Sequence, residues 1–350
     1  MLRKLLPLIL VVLFLFISGC GAKDLSVDRG DEPSVPEITS SETVSEPEPE
    51  LFINPLTGIK SLSAEKADDR PVAITVNNIS NAQTVQTGLN LADVVYETEV
   101  EGGITRLVAI YQNVSAAEKV GTVRSARYAF IDLAMGHNAI YIYHGQDSKY
   151  AAPHLKDTAH MTLDTNNAGV RISNGQSREH TLYAYGDLLW KTLVNKGFKT
   201  ENTSAGTWQS FAAEDAPVTL SNTASSVTVP FSASYKTTFE YDAATGKYLR
   251  FFNNTERKDY VTGESVTFKN VFVLTTTITN YPDNYHRKIY LDSGDGYYFV
   301  NGTYTPIKWS KGSSSSGFVF TNTDGTPLTV NPGNSWVCIA NKSTSKPTIQ

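Results

Sequence analysis

An apolar run from Leu5 to Ile17, preceded by Arg3 and Lys4 and closed by Ser18-Gly19-Cys20, takes the first twenty residues out of the folding problem. A basic start, an apolar centre and a small-residue end have the order of an export signal, and the run is short for a membrane span. Ile17-Ser18-Gly19-Cys20 matches a lipobox, in which small residues fit the peptidase and the cysteine thiol takes a diacylglyceryl group. An ordinary signal peptide with a chance cysteine and an uncleaved anchor are the alternatives. The lipobox reading makes Cys20 the lipidation site. It places the chain on the outer, extracytoplasmic face of the cell membrane, held by acyl chains whose buried methylenes supply the affinity.

Lipidation of Cys20 leaves Cys338 as the one remaining thiol, so the body folds without an intrachain disulfide. Cys338 lies in the apolar, strand-like run Ser335 to Ala340, which predicts a buried structural thiol rather than a nucleophile.

Charge is divided just as sharply. Nine of the 35 acidic residues stand in 21–50, leaving 26 beyond; four of the 30 basic residues (Arg3, Lys4, Lys23, Arg29) precede residue 51, also leaving 26. The body is formally neutral and the acidity belongs to residues 21–50. That stretch has no aromatic residue and is rich in Ser, Glu and Pro, the composition of a disordered, self-repelling spacer. A neutral body without a basic stripe argues against nucleic acid as a partner.

Beyond the spacer the pattern changes once. In 51–200, strand-like runs (Val72–Val76, Val94–Val100, Thr105–Tyr111, Ala139–His144) alternate with helical ones (Ala126–Met135, Asp187–Lys196). Gly102-Gly103 makes a hairpin of two of the strands. After a joint at 201–216, residues 217–345 hold short Thr-, Val-, Tyr- and Phe-rich runs punctuated by turn residues. The reading is α+β: an N-terminal α/β layered domain followed by a mostly antiparallel β domain, barrel or sandwich.

Chemistry-bearing residues gather in the first domain. Glu97, Glu99 and Glu101 alternate along one face of a strand, and Arg106 follows the turn. They are either acid/base groups and ligand clamps or a solvent-facing ion pair. In Val123-Arg124-Ser125-Ala126-Arg127, Ser125 reads as a helix N-cap between two guanidinium groups, which is how an anion site is built; the alternative pairs those arginines with the glutamates. His144 ends an apolar strand, where α/β sheets bind ligands, and His180 lies in Arg178-Glu179-His180-Thr181. The spacing of His144 and His180 fits no metal-ligand pattern, and no cofactor motif is present. Asp292 to Gly296 resembles a calcium loop without its terminal glutamate and reads as a turn.

Longer motifs now stand out: Arg70-Pro71, Asn78, Gly88-Leu89, Ala92-Asp93, Tyr96-Glu97, Glu101-Gly102-Gly103-Ile104-Thr105-Arg106, Gly121 and Val123 to Arg127. His144-Gly145 and His180 continue the series. Asn270-Val271, Gly302, Trp309 and Asn331-Pro332-Gly333 through Trp336 extend it into the second domain. Over residues 54–340 the chain resembles the YerB-like lipoproteins, a two-domain family of unassigned function. Asn77 stands where that family has an acid and Ile79 where it has a histidine. Glu179 and Thr181 replace its proline and asparagine.

The combined expectation is a membrane-anchored, non-enzymatic lipoprotein. Asn78, Glu97, Glu101, Arg106, Arg124, Ser125, Arg127, His144 and His180 would bind a polar or anionic cell-envelope ligand such as cell-wall material. The alternatives are a cell-wall hydrolase or transferase using Glu101 or His144, and a non-catalytic protein-interaction scaffold. Cys20→Ala should abolish incorporation of labelled palmitate, because acylation requires that thiol. Labelling that persists in the variant would contradict the assignment.

Overall fold

The computed structural model describes residues 50–203 and 207–350; Cys20, the signal and the spacer up to residue 49 lie outside the described residues. Pro49 to Gln350 forms one compact unit. Its spine is an eleven-stranded sheet to which both halves of the sequence contribute. The path runs through Asn222–Thr223, Thr303–Ser310, Ser293–Val300, Asn270–Thr276, Ser335–Asn341, Val94–Glu99, Thr105–Tyr111, Val72–Asn77, Ile140–Tyr143 and His160–Thr162. Val319–Asn322 is added beside Thr303–Ser310.

The halves meet where Ser335–Asn341 runs parallel to Val94–Glu99, from Ser335 opposite Val94 to Ile339 opposite Thr98. On its other side Ser335–Asn341 runs parallel to Asn270–Thr276. Every residue of Ser335–Asn341, Val94–Glu99, Thr105–Tyr111 and Val72–Asn77 is buried. Strands covered on both faces carry apolar runs rather than a polar alternation, which is why Val72–Val76 and Trp336–Ala340 read as continuous apolar segments.

A second, antiparallel sheet covers one face: Ser226–Ser232, Tyr235–Asp242 and Lys247–Phe252, with the short strands Thr255–Glu256, Thr267–Phe268 and Thr348–Ile349. Val227, Phe239 and Phe268 join Val95, Trp336 and Cys338 in one core on that side. The helix Gly186–Asn195 adds Leu189 and Leu193 to it and ends at Gly197, whose φ of 74° suits glycine. The helix Tyr128–Met135 lays Phe130, Ile131 and Leu133 on the opposite face.

Several expectations change. The fold is mostly β, and the longer strands of 51–200 form one end of a shared sheet instead of an α/β layer of their own, while Val120–Gly121, Leu182–Ala184 and Gly169–Arg171 make a small separate sheet. The later strands close no barrel; most divide between the shared sheet and its cover, and Ile278–Asn280 with Arg287–Ile289 forms a separate hairpin. In the stretch read as a joint, Ser210–Phe211 pairs in parallel with Thr329–Val330. Ser293 to Gly296, read as a turn, begins the strand Ser293–Val300. The 94–111 hairpin is present, with Gly102 and Gly103 at φ of 77° and 70°, and the thiol of Cys338 is fully buried.

Between the two sheets lies a buried polar knot. The carboxylate of Glu97 accepts hydrogen bonds from Asn78 (2.9 Å), Thr105 (2.8 Å), Thr237 (3.0 Å) and the indole of Trp336 (3.2 Å). Arg250, which has no solvent exposure, donates to Asn78 Oδ1 at 3.1 Å and stacks 4.7 Å from the Trp336 ring. Burial pushes the Arg250 guanidinium down to about 10, against the pull of Glu97, so it stays charged at neutral pH. Glu97 supplies the opposite charge for Arg250 through Asn78 rather than by direct contact, and removing one of two buried opposite charges strands the other, a loss of about 3–5 kcal/mol. Arg250→Met should therefore lower stability in urea unfolding by about 3–5 kcal/mol. Adding Glu97→Gln should recover part of the loss. An Arg250→Met protein as stable as wild type would refute the coupling.

Candidate functional site

Val72–Asn77 and Ile140–Tyr143 are parallel neighbours, but their pairing stops at Ile74 opposite Ile142. Beyond that point the strands part and the Thr122–Ala126 segment enters the gap. Arg124 N donates to Thr75 O (2.9 Å), Asn77 N to Thr122 O (2.8 Å), His144 N to Arg124 O (2.9 Å) and Ala126 N to Gly145 O (2.9 Å). Gly145 has a φ of +80°, and a Cβ there would come within 3.0 Å of Ser125 Oγ. The inserted residues thus sit at the carboxyl ends of two parallel strands, where open sheets bind their ligands.

Arg106 enters from Thr105–Tyr111, opposite Asn77, and donates through Nη1 to the Ser125 carbonyl at 3.0 Å. Arg127 grips Glu101 through both Nε and Nη2 at 2.8–2.9 Å, the two-pronged geometry that guanidinium and carboxylate favour. Arg124 pairs with Glu179 at 2.8 Å, while its Nε is buried and unpartnered. Among the described residues no carboxylate forms an ion pair with Arg106. Burial, reinforced by the like charges of Arg127 and Arg124 and opposed by Glu101, pushes Arg106 down to about 9. It remains a cation at neutral pH. Arg106, Arg124 and Arg127 thus face two carboxylates, Glu101 and Glu179, and at least one positive charge is left over.

The histidines flank this cluster. His144 Nδ1 lies 2.7 Å from the Leu163 carbonyl and Nε2 lies 3.2 Å from Arg171 Nη2. The carbonyl can only accept and the guanidinium can only donate, so the proton sits on Nδ1. His180 takes the Asn77 amide at Nδ1 (2.8 Å) and turns Nε2 toward Glu179 at 3.4 Å. Burial lowers its pKa, with Glu179 pulling the other way.

The structure therefore brings together Glu101, Arg106, Arg124, Arg127, the Ser125 carbonyl, His144 and His180. Asn78 and Glu97 belong to the knot under the second sheet instead. The glutamates are not solvent-facing: Glu97, Glu99 and Glu101 are all buried, and Glu99 pairs with Arg287 at 2.6 Å. Ser125 caps no helix, because that helix starts at Tyr128 with Arg127 in the cap position and without a side-chain cap bond. Held between two strands, Ser125 has no helix end to serve. Sequence reasoning missed Glu179 and Arg171 as members of the site, and neither lies in a pattern that marks it. Burial works against the charge of Glu101, but the Arg127 hydrogen bonds and attraction hold its carboxyl below the usual range. A general acid needs the opposite shift.

Comparison with known proteins agrees with the motif reading. Residues 56–199 match the N-terminal domain, and residues 227–337 the C-terminal domain, of the family described as "Protein of unknown function (DUF3048)". The chain is 31% identical over 293 residues to "Putative lipoprotein YerB" of Bacillus subtilis (strain 168), covering 81% of this chain and 85% of that protein. The crystal structure of YerB protein from Bacillus subtilis superposes with a TM-score of 0.73 at 27% identity, covering 85% of this chain and 99% of that one.

Glu101 supplies a pH dependence whose sign is fixed. With its folded pKa below the value of about 4.3 for a free glutamate, the stability contributed by Arg127 is complete above that value. It is lost as pH falls through the lower folded pKa. Thermal melts between pH 6 and pH 3, a range set around that reference of about 4.3, should fall more steeply for wild type than for Glu101→Gln. Parallel curves would contradict the assignment.

Proposed function

From the premise that the chain belongs to the DUF3048 family, we propose that it is a lipoprotein, tethered through Cys20 at the outer face of the cell membrane, that holds an anionic envelope molecule. The name of its Bacillus subtilis relative, a putative lipoprotein, supports the lipid anchor. The observation that carries the ligand class is the excess positive charge of Arg106, Arg124 and Arg127 at the strand ends. A buried guanidinium without a carboxylate is costly to leave alone, and planar donors match the oxygens of phosphate or carboxylate.

The binding reading is favoured over the hydrolase or transferase alternative. Glu101 is clasped by Arg127 and kept ionised, and both ring nitrogens of His144 are engaged. Acid/base work by either would first require breaking those bonds.

A ligand that binds only the folded state raises stability by about 2.7 kcal/mol at a hundred times its Kd. Inorganic phosphate, and more so a poly(glycerol phosphate), should raise the melting temperature of the full chain above that in sodium chloride of equal ionic strength. Arg106→Gln should erase the difference. A wild-type protein that responds equally to chloride and phosphate would overturn the proposal.

A further inference from the structure

The strands that end at the arginine cluster begin, at their other end, beside a separate cavity of about 240 Å3. Pro71 and Asn138 stand just before Val72–Asn77 and Ile140–Tyr143, and Gln112 just after Thr105–Tyr111. The cavity therefore sits at the opposite edge of the sheet from Asn77 and Arg106. Its volume is that of roughly eight water molecules in the liquid. Among the described residues that line it there is no Asp, Glu, Lys or Arg.

Its polar groups are neutral and held in place. Gln112, 1% exposed, donates Nε2 to the Asp69 carbonyl and its backbone N–H to Asp93, which leaves its Oε1 buried without a protein partner. Trp208 is fixed by its backbone N–H on the Pro55 carbonyl (2.8 Å) and by edge contacts to Phe272 and Phe320, each 6.1 Å between centroids. The buried indole N–H lies against the Tyr96 hydroxyl, whose ionisation burial opposes and the indole favours. His137 gives its Nε2 to the Tyr96 hydroxyl at 2.7 Å. Burial and the charge of Lys311 push its pKa down to about 3, so it adds no charge at neutral pH. Asn138, at a φ of 52°, contributes an amide. Pro71 and Met135 supply apolar wall.

We infer that this cavity is a binding site for a neutral, hydroxyl-rich ring, a single uncharged sugar residue, distinct from the anion site. The buried acceptor of Gln112 calls for a partner, and a hydroxyl group supplies one because it can donate. Trp208, Met135 and Pro71 supply apolar surface for the C–H faces of a pyranose. With no counter-charge in the wall, a charged ligand would be desolvated without compensation.

The test is saturation-transfer NMR on the full chain in lipid nanodiscs, with N-acetylglucosamine and methyl glucoside as probes and glucuronate as the charged control. Saturation should reach the two neutral sugars and not glucuronate. Trp208→Ala should weaken binding at least tenfold. Asn138→Gly, which keeps the backbone free to hold its positive φ while deleting the amide, should weaken it several-fold with the melting temperature nearly unchanged. Absence of transfer to either neutral sugar at millimolar concentration, equal transfer to glucuronate, or neutral-sugar binding that survives in both variants would overturn the inference.

Discussion

A carboxylate with no access to water holds the two halves of this chain together. Glu97 lies between two sheets, and a carboxyl group there is tolerated only when its oxygens are fully engaged. Asn78 and Thr105 come from the first half of the sequence, Thr237 and Trp336 from the second. Asn78 passes the interaction to Arg250 through its carbonyl oxygen, and Arg250 returns to the ring of Trp336. The same interface seats the strand Ser335–Asn341 between Val94–Glu99 and Asn270–Thr276. Two sequence domains therefore share one sheet and one core. The charge of Glu97 also reaches Cys338, whose thiol is raised first by burial and then by that carboxylate, which keeps it unreactive.

The rigidity of this seam bears on function because both candidate sites are built at the ends of the strands it fixes. At one end the parallel pair parts and the Arg124 segment is clamped in the gap; at the other, Gln112, Asn138 and Trp208 surround an uncharged cavity. Sites on strand ends inherit their precision from the sheet. Their chemistries are complementary, a surplus of positive charge at one edge and neutral amides and an indole at the other.

Local structure was legible in the residues, and long-range pairing was not. The Gly102-Gly103 hairpin, the stop at Gly197 and the buried Cys338 follow from short-range rules about glycine and apolar runs. Nothing in an apolar run names its neighbour, so the insertion of Ser335–Asn341 beside Val94–Glu99 could not be read. That pairing is how the two sequence domains, which the family's two matched regions reproduce, come to meet in one sheet. The alternation of Glu97, Glu99 and Glu101 marked a strand face that looked solvated, but the covering sheet buries Glu97, Arg287 closes over Glu99 and Arg127 over Glu101. Ser125 carried the propensity of a cap, and strand-like hydrogen bonds to its neighbours overrode it. One signal was present and unread: in Lys247–Phe252 the inward positions are Tyr248, Arg250 and Phe252, so period-two counting alone places an arginine in the core.

Residues 50–203 alone should have no stable fold, because Val94–Glu99 would lose its parallel partner and Glu97 two of its four donors. Circular dichroism of that segment expressed alone, heated through the melting range of the whole body, measures this directly. The account predicts no cooperative transition from the isolated segment and recovery of one on mixing with residues 207–350. A cooperative melt from residues 50–203 alone would contradict it.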